Sequence, residues 1–337
     1  MTVVVAGFEF SSARKMDFSE IFDFWDDIGE PQKKPKTQLP SGPSPSAPPV
    51  PLDVELANDT PTLAFLVADS VLSTRVGNAR QLKAEHEQKV QDVLILISVP
   101  DFTPDGYVTG AHHLRGSYSC GVAYAGSQFT FTQVIQKFER AMGELVYTWN
   151  NGKYQIVEKD SKFALESKVD QSYADDIDFN SRDLPKLDAD FVLSIFERCV
   201  TETIADIFIH YGNLPQSDPA SLRAEFALAV YCIKSERPKL FHVEIVDDLG
   251  TFPTWFKVGS REIANHELLV LGHTSWLPNF QAVQDSAVRT NSSIYSAVER
   301  ECERLVQAAA STNYVGGKIN CGYITGGQFK RGHPVVY

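Results

Sequence analysis

The sequence predicts a mainly α protein of the α+β type: a helix-rich body with short strands and a C-terminal hairpin, behind a proline-rich N-terminal arm. Three observations point there. Segments after residue 185 repeat apolar residues at three- and four-residue steps, the period of a buried helix face. Eight of the 18 prolines crowd between positions 31 and 52. A glycine pair, Gly326-Gly327, separates two short apolar runs near the C-terminus.

The arm comes first. Phe18, Ile21, Phe22, Trp25 and Ile28 share one stripe of a helix over 16–28, and Asp17, Glu20, Asp23, Asp26 and Asp27 occupy much of the remainder. An isolated helix of about a dozen residues is marginal in water, so this one needs a surface on which to bury its stripe. The linker 31–52 follows, where proline fixes φ and removes donors, which favours an extended polyproline-like spacer. Residues 1–60 are thereby expected to form an arm and 61–337 the body.

Within the body, Pro61 stands at a plausible first helical position before TLAFLVADSVL, which reads as a helix. NARQLKAEHEQKVQDVLILISV reads as a polar helix running into a buried strand or helix end, and 101–130, rich in Gly, Ser and Tyr, as loops with short strands. Phe131, Val134, Ile135, Phe138, Met142, Leu145 and Val146 mark a clear amphipathic helix, and Asn151-Gly152 a hairpin turn. The acidic stretch 158–190 is a candidate surface excursion. Asp188 is placed to cap a helix with a wide apolar face ending at Gly212, and Ser217 or Asp218 another running through SLRAEFALAVYCI. LFHVEIV reads as a strand, 281–310 as one long helix, and KINCGYITGGQFKRGHPVVY as the final hairpin.

Composition limits the function classes. The net charge of −12 disfavours gripping phosphate with the whole surface, since that affinity comes from Lys and Arg displacing counterions. Any RNA contact should be local, with Lys33, Lys34 and Lys36 of the arm as candidates beside Lys318, Lys330 and Arg331. No run approaches the roughly 18 apolar residues of a spanning helix, and the start lacks signal-peptide character, so neither membrane insertion nor secretion is expected. Five cysteines without a CxxC pair argue against a disulfide framework and a thiolate zinc site and fit a reducing compartment.

Chemical motifs are sparse. Gly316, Gly317 and Lys318 lack the upstream glycine and following hydroxyl of a phosphate loop, and there is no GxGxxG. His266-Glu267 lacks a second histidine four residues on, with His273 beyond a loop, and His112-His113 can offer at most one or two ligands. No metal or other cofactor is therefore expected. Cys120, near His112, His113, Ser117 and Ser119, is the one enzymatic candidate, because a thiolate beside an imidazole is a nucleophile at neutral pH. Glycines 116 and 121 frame four residues rather than the three of a nucleophile elbow.

In layout, with PSGPSPSAPPVPLD ahead of a helix-rich middle from Asp188 to Ile233, the chain resembles the coat proteins of plant cryptic viruses, the partitiviruses. The resemblance implies a non-enzymatic capsid protein, self-assembling from dimers into a shell around double-stranded RNA and its polymerase, found in the virion and the host cytoplasm. The leading expectation is therefore a structural coat protein. The alternatives are an adaptor or RNA-associated module using the arm helix (Phe18, Ile21, Phe22, Trp25, Ile28) and a cytosolic cysteine hydrolase at Cys120.

Overall fold

A computed structural model describes residues 3–10, 60–70, 72–76, 79–84, 87–102, 108–150, 153–159, 185–211, 222–247, 256–272, 274–309 and 316–332. Strands outnumber helices among them, so the helix-rich expectation is corrected: fourteen β-strands stand against four α-helices. A five-stranded sheet combines β1 (Val3–Phe10), β2 (Pro61–Asp69), β12 (Leu269–Gly272), β13 (Ile319–Thr325) and β14 (Gln328–Arg331), in the order β12-β1-β2-β13-β14. A seven-stranded sheet combines β5 (Val90–Phe102), β6 (Val108–Gly126), β7 (Leu145–Asn150), β8 (Lys153–Glu158), β9 (Ala224–Cys232), β10 (Arg237–Asp247) and β11 (Phe256–Glu262). Its order is β11-β10-β9-β6-β5-β7-β8. The hairpin β3 (Leu72–Val76) and β4 (Ala79–Ala84) stands apart.

The sheets lie face to face, and each carries two helices on its outer side. Helices α1 (Gln128–Gly143) and α2 (Ala189–Tyr211) pack on the seven-stranded sheet through Phe131, Val134, Phe138, Val192, Phe196 and Val200. Helices α3 (Leu277–Arg289) and α4 (Ile294–Ala309) pack on the five-stranded sheet through Phe280, Tyr295, Val298 and Cys302. A third core between the sheets is rich in alanine, with Ala6, Ala64 and Ala68 facing Ala123, Ala125, Ala227 and Ala229. Small side chains let two sheets approach closely.

This layering explains the misread elements. In β2, Leu63, Phe65 and Val67 face the helices while Ala64, Leu66 and Ala68 face the other sheet. A strand buried on both faces loses the apolar–polar alternation and reads like a helix. The same holds for β9, where Phe226, Leu228 and Val230 point one way and Ala227 and Ala229 the other. The glycine- and serine-rich 101–130 stretch contains the whole of one 19-residue strand, β6. The expected helix 281–310 is two, parted where Asn291 takes a φ of 51°. Glu9 of β1 fixes the second of them, its carboxylate accepting from the Tyr295 backbone N–H and Ser293 Oγ, each at 2.9 Å.

Val3–Phe10, read from sequence as part of the arm, is a strand inside the five-stranded sheet. The expected helix 16–28 and linker 31–52 lie outside the described residues, as does most of 158–190. Because Phe10 pairs with Pro61, the intervening chain leaves and returns at adjacent strand ends. The sheets meet at β14, where the Phe329 ring fills the space over Gly121 and Gly322 that any Cβ would occupy. Gly121→Ala should therefore cost about 1–3 kcal/mol of stability by overpacking. Phe329→Ala should cost about 3–5 kcal/mol by leaving a cavity. In thermal or urea unfolding the double variant should lose less than the sum, because the cavity admits the added methyl group.

Candidate functional site

Asp69 and Lys89 form the most deeply buried ion pair described. The strand β2 ends at Asp69, and Lys89 immediately precedes β5, so the pair ties the five-stranded sheet to the seven-stranded one. Lys89 Nζ lies 2.8 Å from Asp69 Oδ1, and both side chains are 0% exposed. The same oxygen accepts from the Val3 backbone N–H at 3.0 Å, and Oδ2 from the Gly316 N–H at 3.4 Å. Four chain segments thus converge on one carboxylate: the heads of β1 and β5, the tail of β2 and the turn before β13.

The surrounding backbone is stitched to match. Ser70 N–H donates to the Gly316 carbonyl at 3.3 Å, and the Ser70 carbonyl accepts from Glu87 N–H at 2.8 Å. Asn320 Nδ2 closes the ring on the Glu87 carbonyl at 2.8 Å. Burial pushes the Lys89 ammonium below the usual lysine range, while the charge and hydrogen bond of Asp69 hold it up. Of the side chains capable of nucleophilic attack, Ser70 adjoins Asp69, and Thr2 is joined by one peptide bond to the Val3 nitrogen bound there.

The sequence-predicted sites fare differently. Cys120 is fully buried, its thiol pushed far above the ordinary range by desolvation and then by Asp92, and its Sγ turned to the Val93 carbonyl. His112 and His113 pair with Pro100 and Val99, whereas Cys120 pairs with Val93. Seven extended residues separate His113 from Cys120, roughly 23 Å along the strand, so the pair close in sequence cannot meet. The cysteine-hydrolase site is withdrawn on that ground. Ser119 instead binds β14, its Oγ accepting from Phe329 N–H at 2.6 Å.

Glu267 is held by Arg261 at 2.7 Å, and His273 lies outside the described residues. Among the described residues, no group of three or more His, Cys, Asp or Glu side chains is placed to hold a metal ion. No helix among them is long and apolar enough to cross a membrane. Phe18, Ile21, Phe22, Trp25, Ile28, Lys33, Lys34 and Lys36 all lie outside the described residues. Lys330 and Arg331 sit exposed on the edge strand β14, and Lys318 is exposed two residues past Gly316. The glycine pair rejected as a phosphate loop therefore belongs to the site after all, through the Gly316 amide rather than through Lys318.

Sequence reasoning missed Asp69 and Lys89 because they stand 20 residues apart and form no motif. The one available signal was Asp69 closing the apolar run TLAFLVA.

No family model matches the chain, and no curated protein does. Among solved structures, the chain is similar to the Anbu (Gly-1) mutant from Hyphomicrobium sp. strain MC1, with 12% identity, 80% of each chain covered and a TM-score of 0.38. That overlap is too low to assign a fold or a role, and the site stands on its own geometry.

Asp69→Asn keeps the shape and removes the counter-charge, leaving a buried ammonium; it should cost about 3–5 kcal/mol at neutral pH. The folded Lys89 pKa then lies further below its unfolded value of 10.5, so between the two the unfolded chain holds more protons and stability rises with pH. Urea unfolding near neutrality and again toward pH 10.5 should show the deficit shrinking.

Proposed function

We propose that the protein is a hydrolase of acyl compounds, amides or esters, with the Asp69–Lys89 pair in its active site and Thr2, one peptide bond from the Val3 nitrogen that Asp69 binds, as its nucleophile. One observation supports this above all: a completely buried lysine–aspartate pair hydrogen-bonded to the backbone nitrogen next to Thr2. Buried ammonium groups are costly, and hydrophobic replacements of such pairs are often neutral or stabilising. Perturbed charges of this kind cluster where chemistry needs them.

A threonine is a weak nucleophile unless a base takes its proton, and its own α-amino group can serve when threonine is the first residue. The reading therefore requires Thr2 to be the first residue of the mature chain. Thr2 Oγ then attacks the acyl carbon while its proton passes to the α-amine. The scissile bond breaks, the leaving group takes that proton, and an ester to Thr2 remains. Water hydrolyses the ester and restores the hydroxyl. The Lys89 ammonium favours the alkoxide form of a neighbouring hydroxyl and lowers the basicity range of a neighbouring amine towards neutrality. Asp69 holds Lys89 and the start of β1 in place.

N-terminal sequencing of the purified protein should read Thr-Val-Val, and a β-lactone probe should add its mass to that terminal peptide. Thr2→Ala should abolish both labelling and turnover of a fluorogenic peptide-amide panel, and Lys89→Met should lower turnover by about 100-fold or more. Ser70→Ala should retain labelling at Thr2; labelling at Ser70 instead, or none with Thr2 exposed, overturns the assignment.

Self-assembly, which the sequence favours as a coat-protein property, has one observation of its own. Phe129 near the start of α1 and Ile209 near the end of α2 are 45% and 68% exposed. The helices run antiparallel, with Lys137 of α1 on Asp206 of α2 at 2.6 Å and Ala141 beside Cys199, so both residues stand towards one end of the outer layer. Sedimentation at micromolar concentration should show an oligomer that Phe129→Ser/Ile209→Ser dissociates. A monodisperse monomer removes this reading.

A further inference from the structure

The seven-stranded sheet extends past the five-stranded one, and the overhang carries three leucines among polar residues, Asp92, Ser98 and Ser117. The five-stranded sheet stops at β14, which is fastened to β6 by three hydrogen bonds. Phe329 N–H donates to Ser119 Oγ at 2.6 Å, Ser119 N–H to the Gly327 carbonyl at 3.0 Å and Gln328 Nε2 to the Ser117 carbonyl at 2.9 Å. Beyond that line, the side of β5 and β6 that faces the other sheet continues without it. On β5 the alternation places Leu94 and Leu96 on the same side as Val90, which belongs to the inter-sheet core. On β6, Ser117 lies opposite Leu96, and after the bulge at Ile97/Ser98, Leu114 lies opposite Ser98. Leu94 and Leu114 are 50% and 56% exposed, and Leu96 is half-buried. Among the described residues this inner face therefore presents Leu94, Leu96 and Leu114, beside Asp92, Ser98 and Ser117, largely uncovered.

We propose that this face is the docking surface for the acidic aromatic segment Phe18–Ile28 of the same chain. The roots of the 11–59 segment fix its reach. They are Phe10 and Pro61, paired with each other at the ends of β1 and β2. From there a short chain of contacts leads to the face: Thr325 Oγ1 donates to the Thr62 carbonyl at 3.3 Å, the Gly326-Gly327 turn follows, and Gln328 reaches Ser117. With strands spaced about 4.8 Å, the three steps from β1 to β14 cover about 14 Å, and Leu114 lies three residues, about 10 Å, beyond the Ser117 contact.

Seven residues separate Phe10 from Phe18, eight chain steps that span up to about 26 Å. On the return side 32 residues join Ile28 to Thr60 and set no limit. The segment supplies what the face lacks: Phe18, Ile21, Phe22, Trp25 and Ile28 at helical spacing, a stripe that must be buried for a helix this short to form. Tethering at both ends favours this occupant over a free partner, because the effective concentration of a linked segment is on the order of millimolar. A second copy of the chain carries the same leucines but no such local advantage.

The test uses the full chain. Trp25→Cys/Leu114→Cys under mild oxidation should give an intrachain crosslink between positions 25 and 114, mapped by mass spectrometry. In a separate Leu94→Asp/Leu114→Asp variant, chymotryptic cleavage at Phe18, Phe22 and Trp25 should speed up by about tenfold, as expected when a docked segment is released. If that variant fails to fold by circular dichroism, the crosslink alone decides. A crosslink found only between chains assigns the face to a second copy and overturns the proposal. So does the absence of a crosslink, or an unchanged cleavage rate in the folded aspartate variant.

Discussion

The buried Asp69–Lys89 pair is a charged tie between the end of β2 and the start of β5, beside an inter-sheet core of apolar side chains. A carboxylate and an ammonium with no exposure are tolerable only when each is fully engaged. That demand fixes the positions of the Val3 and Gly316 amides, and with them the heads of β1 and of the turn before β13. The remaining architecture follows around this constraint. Two sheets must come together for the pair to form, and alanine lines their interface because larger residues would hold them apart.

The same closeness sets the position of β14. Its Phe329 occupies the room vacated by two glycines, Gly121 on the seven-stranded sheet and Gly322 on the five-stranded one. The five-stranded sheet thereby closes down on its partner at one margin and leaves Leu94 and Leu114 of the larger sheet exposed. One packing event thus produces both a closed core near Asp69 and Lys89 and an open apolar shelf at Leu94 and Leu114. The proposed chemistry and the proposed docking fall at different places on one inter-sheet surface.

Parts of the fold were legible from sequence. The α1 stripe from Phe131 to Met142 and the α2 face from Val192 to Phe208 each bury one side of a helix, and one-sided burial leaves a period that can be read. The Gly326-Gly327 hairpin was legible for a local reason too, since positive φ angles of 56° and 83° suit glycine. The strands β2 and β9 read as helices in the sequence because both of their faces are covered, and covering both faces erases the polar half of the signal. Cys120 looked activated beside two histidines only because distance along a sequence is a poor guide to distance along an extended strand.

The sequence by itself determined the locally specified features: the helix stripes, the glycine turns, the acidic balance and the aromatic character of residues 18–28. Each is set by neighbours within a few positions, where spacing alone dictates which side chains share a face. Tertiary structure decided that the body is a pair of packed sheets rather than a bundle, and that Asp69, Lys89, Val3 and Gly316 meet. Those outcomes depend on residues tens to hundreds of positions apart. The physical reason is that burial and charge pairing are properties of a place in space, and a place in space exists only after the chain has closed around it.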